Sequence, residues 1–182
     1  MAEGARIVEG RSCDGCSLCC YLLAVHALEK PINSWCRHCP TRRRCAIYDD
    51  RPDECRGFHC GWLTGAMIGD EWDPKRCRMV LAAENDGLRL TAIIHPDRPD
   101  AWRRQPYYRQ LKAWAEAAIL HRGQVVIKNA NRYTVVLPDR DVELGEVGPD
   151  ELIVTAFTPS PHGMVLEPMK LHRDDPRARG LG

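Results

Sequence analysis

Four cysteines fall within the eight residues CDGCSLCC: Cys13, Cys16, Cys19 and Cys20. Cys19 and Cys20 are adjacent, so they do not readily close a relaxed bridge with each other. Six more follow at Cys36, Cys39, Cys45, Cys55, Cys60 and Cys77. A Cys-x2-Cys pair brings two sulfurs to one side of a turn, and Gly15 supplies backbone freedom where such a turn needs positive φ. Zinc takes four thiolates tetrahedrally, and iron–sulfur clusters also take four, often with two-residue spacers. Several such groups in one short segment point to bound metal and leave zinc and iron–sulfur both open.

Composition supports that chemistry over its rivals. The N-terminus lacks the apolar run of a secretory signal, and no stretch reaches the roughly 18 apolar residues of a membrane span. A cytoplasmic, reducing location follows, where cysteines serve metal or redox roles more often than disulfides. Twenty-six basic and 25 acidic residues leave a formal charge of +1, which excludes a non-specific nucleic-acid binder. The segment is poor in Leu and Ile, and a front part of roughly 65 residues with this polarity gains only a few kcal/mol from its own core. Structural zinc contributes about 10–16 kcal/mol. Metal is therefore the expected core of this part. Eight thiolates around two zinc ions would leave a charge of about −4, which Arg37, Arg42, Arg43, Arg44, Arg51 and Arg56 are placed to offset. Cys77 and Cys39 read instead as small buried hydrophobes. His38 and His59 are spare ligands. His26 rides a short helix ended by Pro31, and His95, His121, His162 and His172 show no partner at a telling spacing.

This ordered set resembles the CxxCxxCC (YkgJ-like) family of zinc- or iron-chelating proteins. The matching elements are CDGCSLCC, a cysteine nine residues before CAIY, and RPDECRGFHC. The resemblance implies Cys13, Cys16, Cys19, Cys20, Cys36, Cys45, Cys55 and Cys60 as metal ligands. Cys39 stands where that family usually has an apolar residue, and Cys77 lies beyond the motif. The likeness covers residues 13 to 62 and implies a chelation site with little further chemistry.

The elements that position these residues divide at a composition step, since no cysteine lies beyond Cys77. Residues 1–74 are expected to form a cysteine-rich metal-chelating domain, 75–172 an α+β domain and 173–182 a frayed tail. In DDRPDEC, Pro52 suits a first helical turn, giving a helix that carries Cys55 and ends near Trp62. Trp62, Phe58 and Tyr48 would then shield the metal. RMVLAAENDGLRLTAII reads as two strands about Asp86-Gly87. Pro106 opens a helix in which Tyr107, Leu111, Trp114, Ala118 and His121 recur at helical spacing, and Gly123 stops it. VVIK, RYTVVLP, VELGEV, ELIVTAF and MVLEPM follow as strands. The expected fold class is α+β: a small irregular metal-binding N-terminal part, then a mostly antiparallel sheet with one main helix.

No nucleophile elbow, phosphate loop or dinucleotide fingerprint is present, and Asp139, Asp141, Asp150 and Glu151 read as turn residues. The expected function is a metal-binding protein holding zinc, or an iron–sulfur cluster, in a structural or metal- or electron-carrying role, with metal ions as partners. Two alternatives stand beside it. One is an iron–sulfur-dependent redox or methyl-transfer enzyme, implied by a related cysteine domain in flagellin lysine methylases. The other is an adaptor whose C-terminal sheet binds a protein partner along its strand edges.

Overall fold

A computed structural model of the chain describes residues 6–161 and 163–180; His162 lies outside the described residues. The front of the chain is built from short helices: α1 (Leu18–Leu22), α2 (Asp53–Gly57), α3 (Gly61–Thr64) and α4 (Pro74–Cys77). The helix expected from Pro52 to Trp62 is broken in two. Pro52 caps α2, which stops at Gly57, and Phe58 turns to extended backbone. His59 therefore shares no helical face with Cys55. His26–Leu28 forms a single 3₁₀ turn closed by Glu29 in the left-handed region.

Beyond α4, β1 (Met79–Glu84) and β2 (Arg89–Ile94) form an antiparallel hairpin, paired from Met79–Ile94 to Glu84–Arg89. Its turn runs through Asn85, Asp86 and Gly87, all at positive φ, the conformation that Asn, Asp and Gly tolerate best. One principal helix, α5 (Tyr107–Ile119), follows. Then come β3 (Gln124–Asn129), β4 (Arg132–Val136), β5 (Asp141–Glu146), β6 (Glu151–Ser160) and β7 (Gly163–His172). Strands β1 to β5 form one sheet in chain order, while β6 and β7 pair only with each other. The α5 crossover makes β2 and β3 parallel, as a helical connection requires.

Alternation along the strands sends side chains to two covered faces. Met79, Leu81, Ala92, Ile94, Val125 and Ile127 join Leu111 of α5 in one core. Val80, Ala82 and Ile93 face the opposite way, and Val126 and Val135 meet Ile153 and Leu166 of the β6–β7 ribbon on that side. The front segment straddles the edge strand β1. Trp62 and Leu63 of α3, with Trp72, pack into the first core, whereas Leu18 and Leu22 of α1 pack on Val80, Ala82 and Ile93. Gly61 allows that approach, since a Cβ there would meet Leu81 Cβ at 2.9 Å. Arg11 fastens the segment before Cys13, donating to the carbonyls of Trp62 in α3 and of Gly65 and Ile68 just beyond it.

These contacts correct the expected fold. Among the described residues no distinct cysteine-rich metal-binding module precedes the sheet; the front helices draw their apolar support from both faces of β1. Trp62, expected over a metal, belongs to the first core. A second correction concerns Asp141, expected in a turn. It begins β5 and accepts hydrogen bonds from Lys112 Nζ (2.7 Å), Arg103 Nη1 (2.9 Å) and Tyr108 Oη (3.1 Å). This cluster ties α5 and the turn before it to the edge of the sheet.

Candidate thiol site

All ten cysteines are free thiols, and they fall into neighbourhoods that their spacing does not display. Cys13 and Cys16 lie in one turn, with the Cys16 N–H donating to the Cys13 carbonyl (3.0 Å). Both lie near Cys60, which immediately precedes α3. Burial pushes the Cys16 thiol up to about 11 and raises Cys60 as well, because a buried thiolate loses its hydration.

The second neighbourhood is larger. Cys19 and Cys20 ride α1, whose apolar residues are held against the sheet. The segment from Cys36 to Cys45 folds over that helix. Cys36 N–H donates to the Cys20 carbonyl (3.1 Å), and Cys39 N–H closes a turn on Cys36 (2.9 Å). Ser17 Oγ holds the far side of this segment through the Arg42 carbonyl. The result sets the Cys20 thiol beside both Cys19 and Cys39, the side chains that act most directly on its proton. Cys20 is held above the ordinary thiol range first by the Cys19 contact and then by burial, while Cys39 and Lys30 act the other way. Burial pushes Cys39 up to about 11, and it raises Cys45 and Cys55 too.

Lys30 is the residue in this group that sequence reading missed. It is 7% exposed, and its ammonium donates to the carbonyls of Tyr21 (3.2 Å), Pro31 (3.0 Å) and Leu23. Burial lowers its pKa, opposed by Cys36, Cys20, Cys19 and Cys55 around it. The only sequence signal was a lysine in an apolar stretch before a proline. An aromatic stack closes the opposite side: Tyr21 lies 5.1 Å from Trp35 and 4.9 Å from His95 between ring centroids. His95, expected without a partner, is therefore buried against α1.

A cavity of about 290 Å³ opens over these groups. Cys13, Cys16, Cys19, Cys20 and Cys45 line it, with Arg44, Tyr48 and Arg51 beside them. Cys36, Cys55 and Cys60 do not line it, and Cys39 is buried beneath at 1% exposure. Cys77 stands apart in the first core, donating its S–H to the carbonyls of Met79 (3.3 Å) and Trp72 (3.4 Å).

Gathering thiols is not the same as converging on an ion. Among the described residues no group of three or more His, Cys, Asp or Glu is arranged to hold a metal. The sulfurs are instead divided between the cavity wall, the buried positions near Lys30 and the first core. This overturns zinc and iron–sulfur as cofactors, metal ions as partners, and a metal-binding, metal-carrying or electron-carrying function. The iron–sulfur redox and methyl-transfer reading falls with its cluster, and the adaptor reading with the metal scaffold it required. The expected role of the arginines changes as well. Arg51 lies 3.7 Å over the Tyr48 ring, Arg42 is 5.4 Å from Trp35, and Arg56 pairs with Asp53.

No protein-family model, curated protein or solved structure matches the chain. The resemblance to the CxxCxxCC proteins is thus carried by cysteine order alone, and it fails at the site it implies. Among the described residues no helix is long and apolar enough to cross a membrane.

Proposed function

We propose that the cysteine-rich front of this protein is a thiol–disulfide couple operating in a reducing compartment, the cytoplasm, with Cys20 and Cys39 as the exchanging pair. One observation carries the reading: the Cys20 thiol, on the cavity wall, lies beside the buried Cys39, whose turn is hydrogen-bonded onto the Cys20 backbone through Cys36. Cys20 is reachable by a small disulfide, and Cys39 waits behind it.

The steps balance without any metal. Cys20, as thiolate, attacks one sulfur of a low-molecular-weight disulfide R–S–S–R; the S–S bond breaks, R–S⁻ leaves, and Cys20–S–S–R forms. Cys39, as thiolate, then attacks the Cys20 sulfur, expels the second R–S⁻ and closes Cys20–S–S–Cys39. Two electrons pass from the protein to the disulfide, and the two protein protons end on the two released thiols. Cys19 is the weaker resolving group, because a bridge between adjacent residues must distort the peptide joining them. Lys30, beside Cys20, offsets the negative charge of the attacking sulfur.

The test is oxidation of the reduced full chain by bis(2-hydroxyethyl) disulfide, followed by peptide mapping. The expected product has lost two thiols and carries a Cys20–Cys39 bridge. Cys39→Ser is expected to stop at a mixed disulfide on Cys20. Equal, independent labelling of several cysteines, unaffected by Cys39→Ser, would overturn the assignment.

A further inference from the structure

The cavity over Cys20 carries a charge feature that thiol exchange by itself does not use. Arg44 and Arg51 both line it, and neither has a carboxylate partner among the described residues. Other arginines of the chain do: Arg56 pairs with Asp53 at 2.8 Å, Arg103 with Asp141 at 2.9 Å and Arg140 with Asp139 at 2.7 Å. Arg51 is fixed in place, its Nε donating to the Tyr48 carbonyl (2.7 Å) and its guanidinium lying on the Tyr48 ring. Arg44 is exposed. Asp14 is the one carboxylate among the described residues on the cavity wall and is itself exposed. With neutral thiols, the ionised lining groups thus leave an excess of one positive charge. The volume of about 290 Å³ matches roughly ten waters at their liquid volume, which suits a small molecule and excludes a folded partner.

We propose that this cavity selects low-molecular-weight disulfides bearing carboxylates, which Arg44 and Arg51 draw in and orient over Cys20. The inference rests on the thiol-exchange reading and names its substrate class. Guanidinium groups recognise carboxylates through paired N–H donors, and two cations without a paired carboxylate, with a net positive lining, concentrate anions in a confined space. The apolar thiol walls then receive the S–S group, while the carboxylates remain at the arginine side.

Three disulfides of nearly the same size separate the outcomes: 3,3′-dithiodipropionate with two carboxylates, bis(2-hydroxyethyl) disulfide with none, and cystamine with two ammonium groups. Each rate of Cys20–Cys39 closure in the reduced full chain is divided by that reagent's rate with free 2-mercaptoethanol, which removes intrinsic reactivity. At low salt the normalised rate is expected to be about tenfold higher for the dicarboxylate than for cystamine, and salt should compress the difference. Arg44→Gln/Arg51→Gln is expected to bring the two within about twofold. Arg44→Gln alone, at an exposed position, gives a partial loss and guards against loosening of the Arg51 loop. Equal normalised rates in the unmodified chain, or a preference unchanged in the double variant, overturn the selectivity while the neutral reagent still closes the bridge. Failure of the neutral reagent to close it overturns the exchange reading and the selectivity together.

Discussion

Cys20 and Cys39 both hold their protons more tightly than an ordinary thiol, Cys20 through Cys19 and burial, Cys39 through burial, and their behaviour with pH follows from that. Both thiols are held above the ordinary range, while the thiolate is the nucleophile. Oxidation by bis(2-hydroxyethyl) disulfide is therefore expected to accelerate steadily from pH 7 to pH 10, with no plateau near the ordinary thiol value of about 8.5. Thiol loss followed at fixed reagent concentration checks this; a plateau near 8.5 contradicts it. Cys77 provides the contrast. Cys77→Ala should cost about 1 kcal/mol of stability and leave the Cys20–Cys39 closure rate unchanged. His95 sets a different pH dependence. Burial, then Arg78, hold its pKa below the histidine value of 6.5, with Arg98 adding and Asp97 opposing. As pH falls through 6.5 the unfolded chain binds its proton first, so stability is lost below that value and levels off beneath the depressed folded pKa. Urea midpoints at pH 7.5 and pH 5.5 should diverge less in His95→Asn than in the unmodified chain.

At the level of elements, α5 is fastened twice. Leu111 is fully buried against the sheet, and Leu111→Ala is expected to cost about 3 kcal/mol by loss of burial and by the cavity left behind. Asp141 fastens the same helix electrostatically, with its side chain 10% exposed and Lys112 at 18%. Asp141→Asn leaves those cations short of a countercharge in a partly dry site and should cost about 2 kcal/mol. Thermal melts of both variants check these values; an unchanged Tm in Asp141→Asn would reduce the cluster to ordinary surface pairing. The β1–β2 turn and the span of α5 were legible beforehand, because Asn-Asp-Gly and the Pro106-to-Gly123 pattern encode local conformation. The break between α2 and α3 was not: Pro52 announces a helix start, but nothing local marks the stop at Gly57.

For the whole molecule, what holds the front segment is the sheet. Leu18 and Leu22 on one face of β1, and Trp62, Leu63 and Trp72 on the other, supply the apolar burial that metal was expected to replace. Leu22→Ala, at 2% exposure, should therefore lower stability by about 3 kcal/mol and free the loop that carries Cys39. Chelation with EDTA should leave the melting temperature unchanged, and a drop of several degrees would restore a metal to the fold. Closing the Cys20–Cys39 loop should in turn stabilise the chain by about 3 kcal/mol through the unfolded state, seen as a higher Tm for oxidised than for reduced protein.

Sequence by itself determined the strand and helix order beyond Cys77 and the crowding of cysteines before it, because alternation, turn residues and short spacings are local properties of the chain. Tertiary structure alone decided how the sulfurs face one another. Cys20 and Cys39 meet only because α1 is pinned on β1 and the segment from Cys36 folds back over it, and Lys30 enters among them from a turn with no motif of its own. Ligand convergence depends on the directions of side chains from distant segments, and cysteine order in a sequence does not encode those directions.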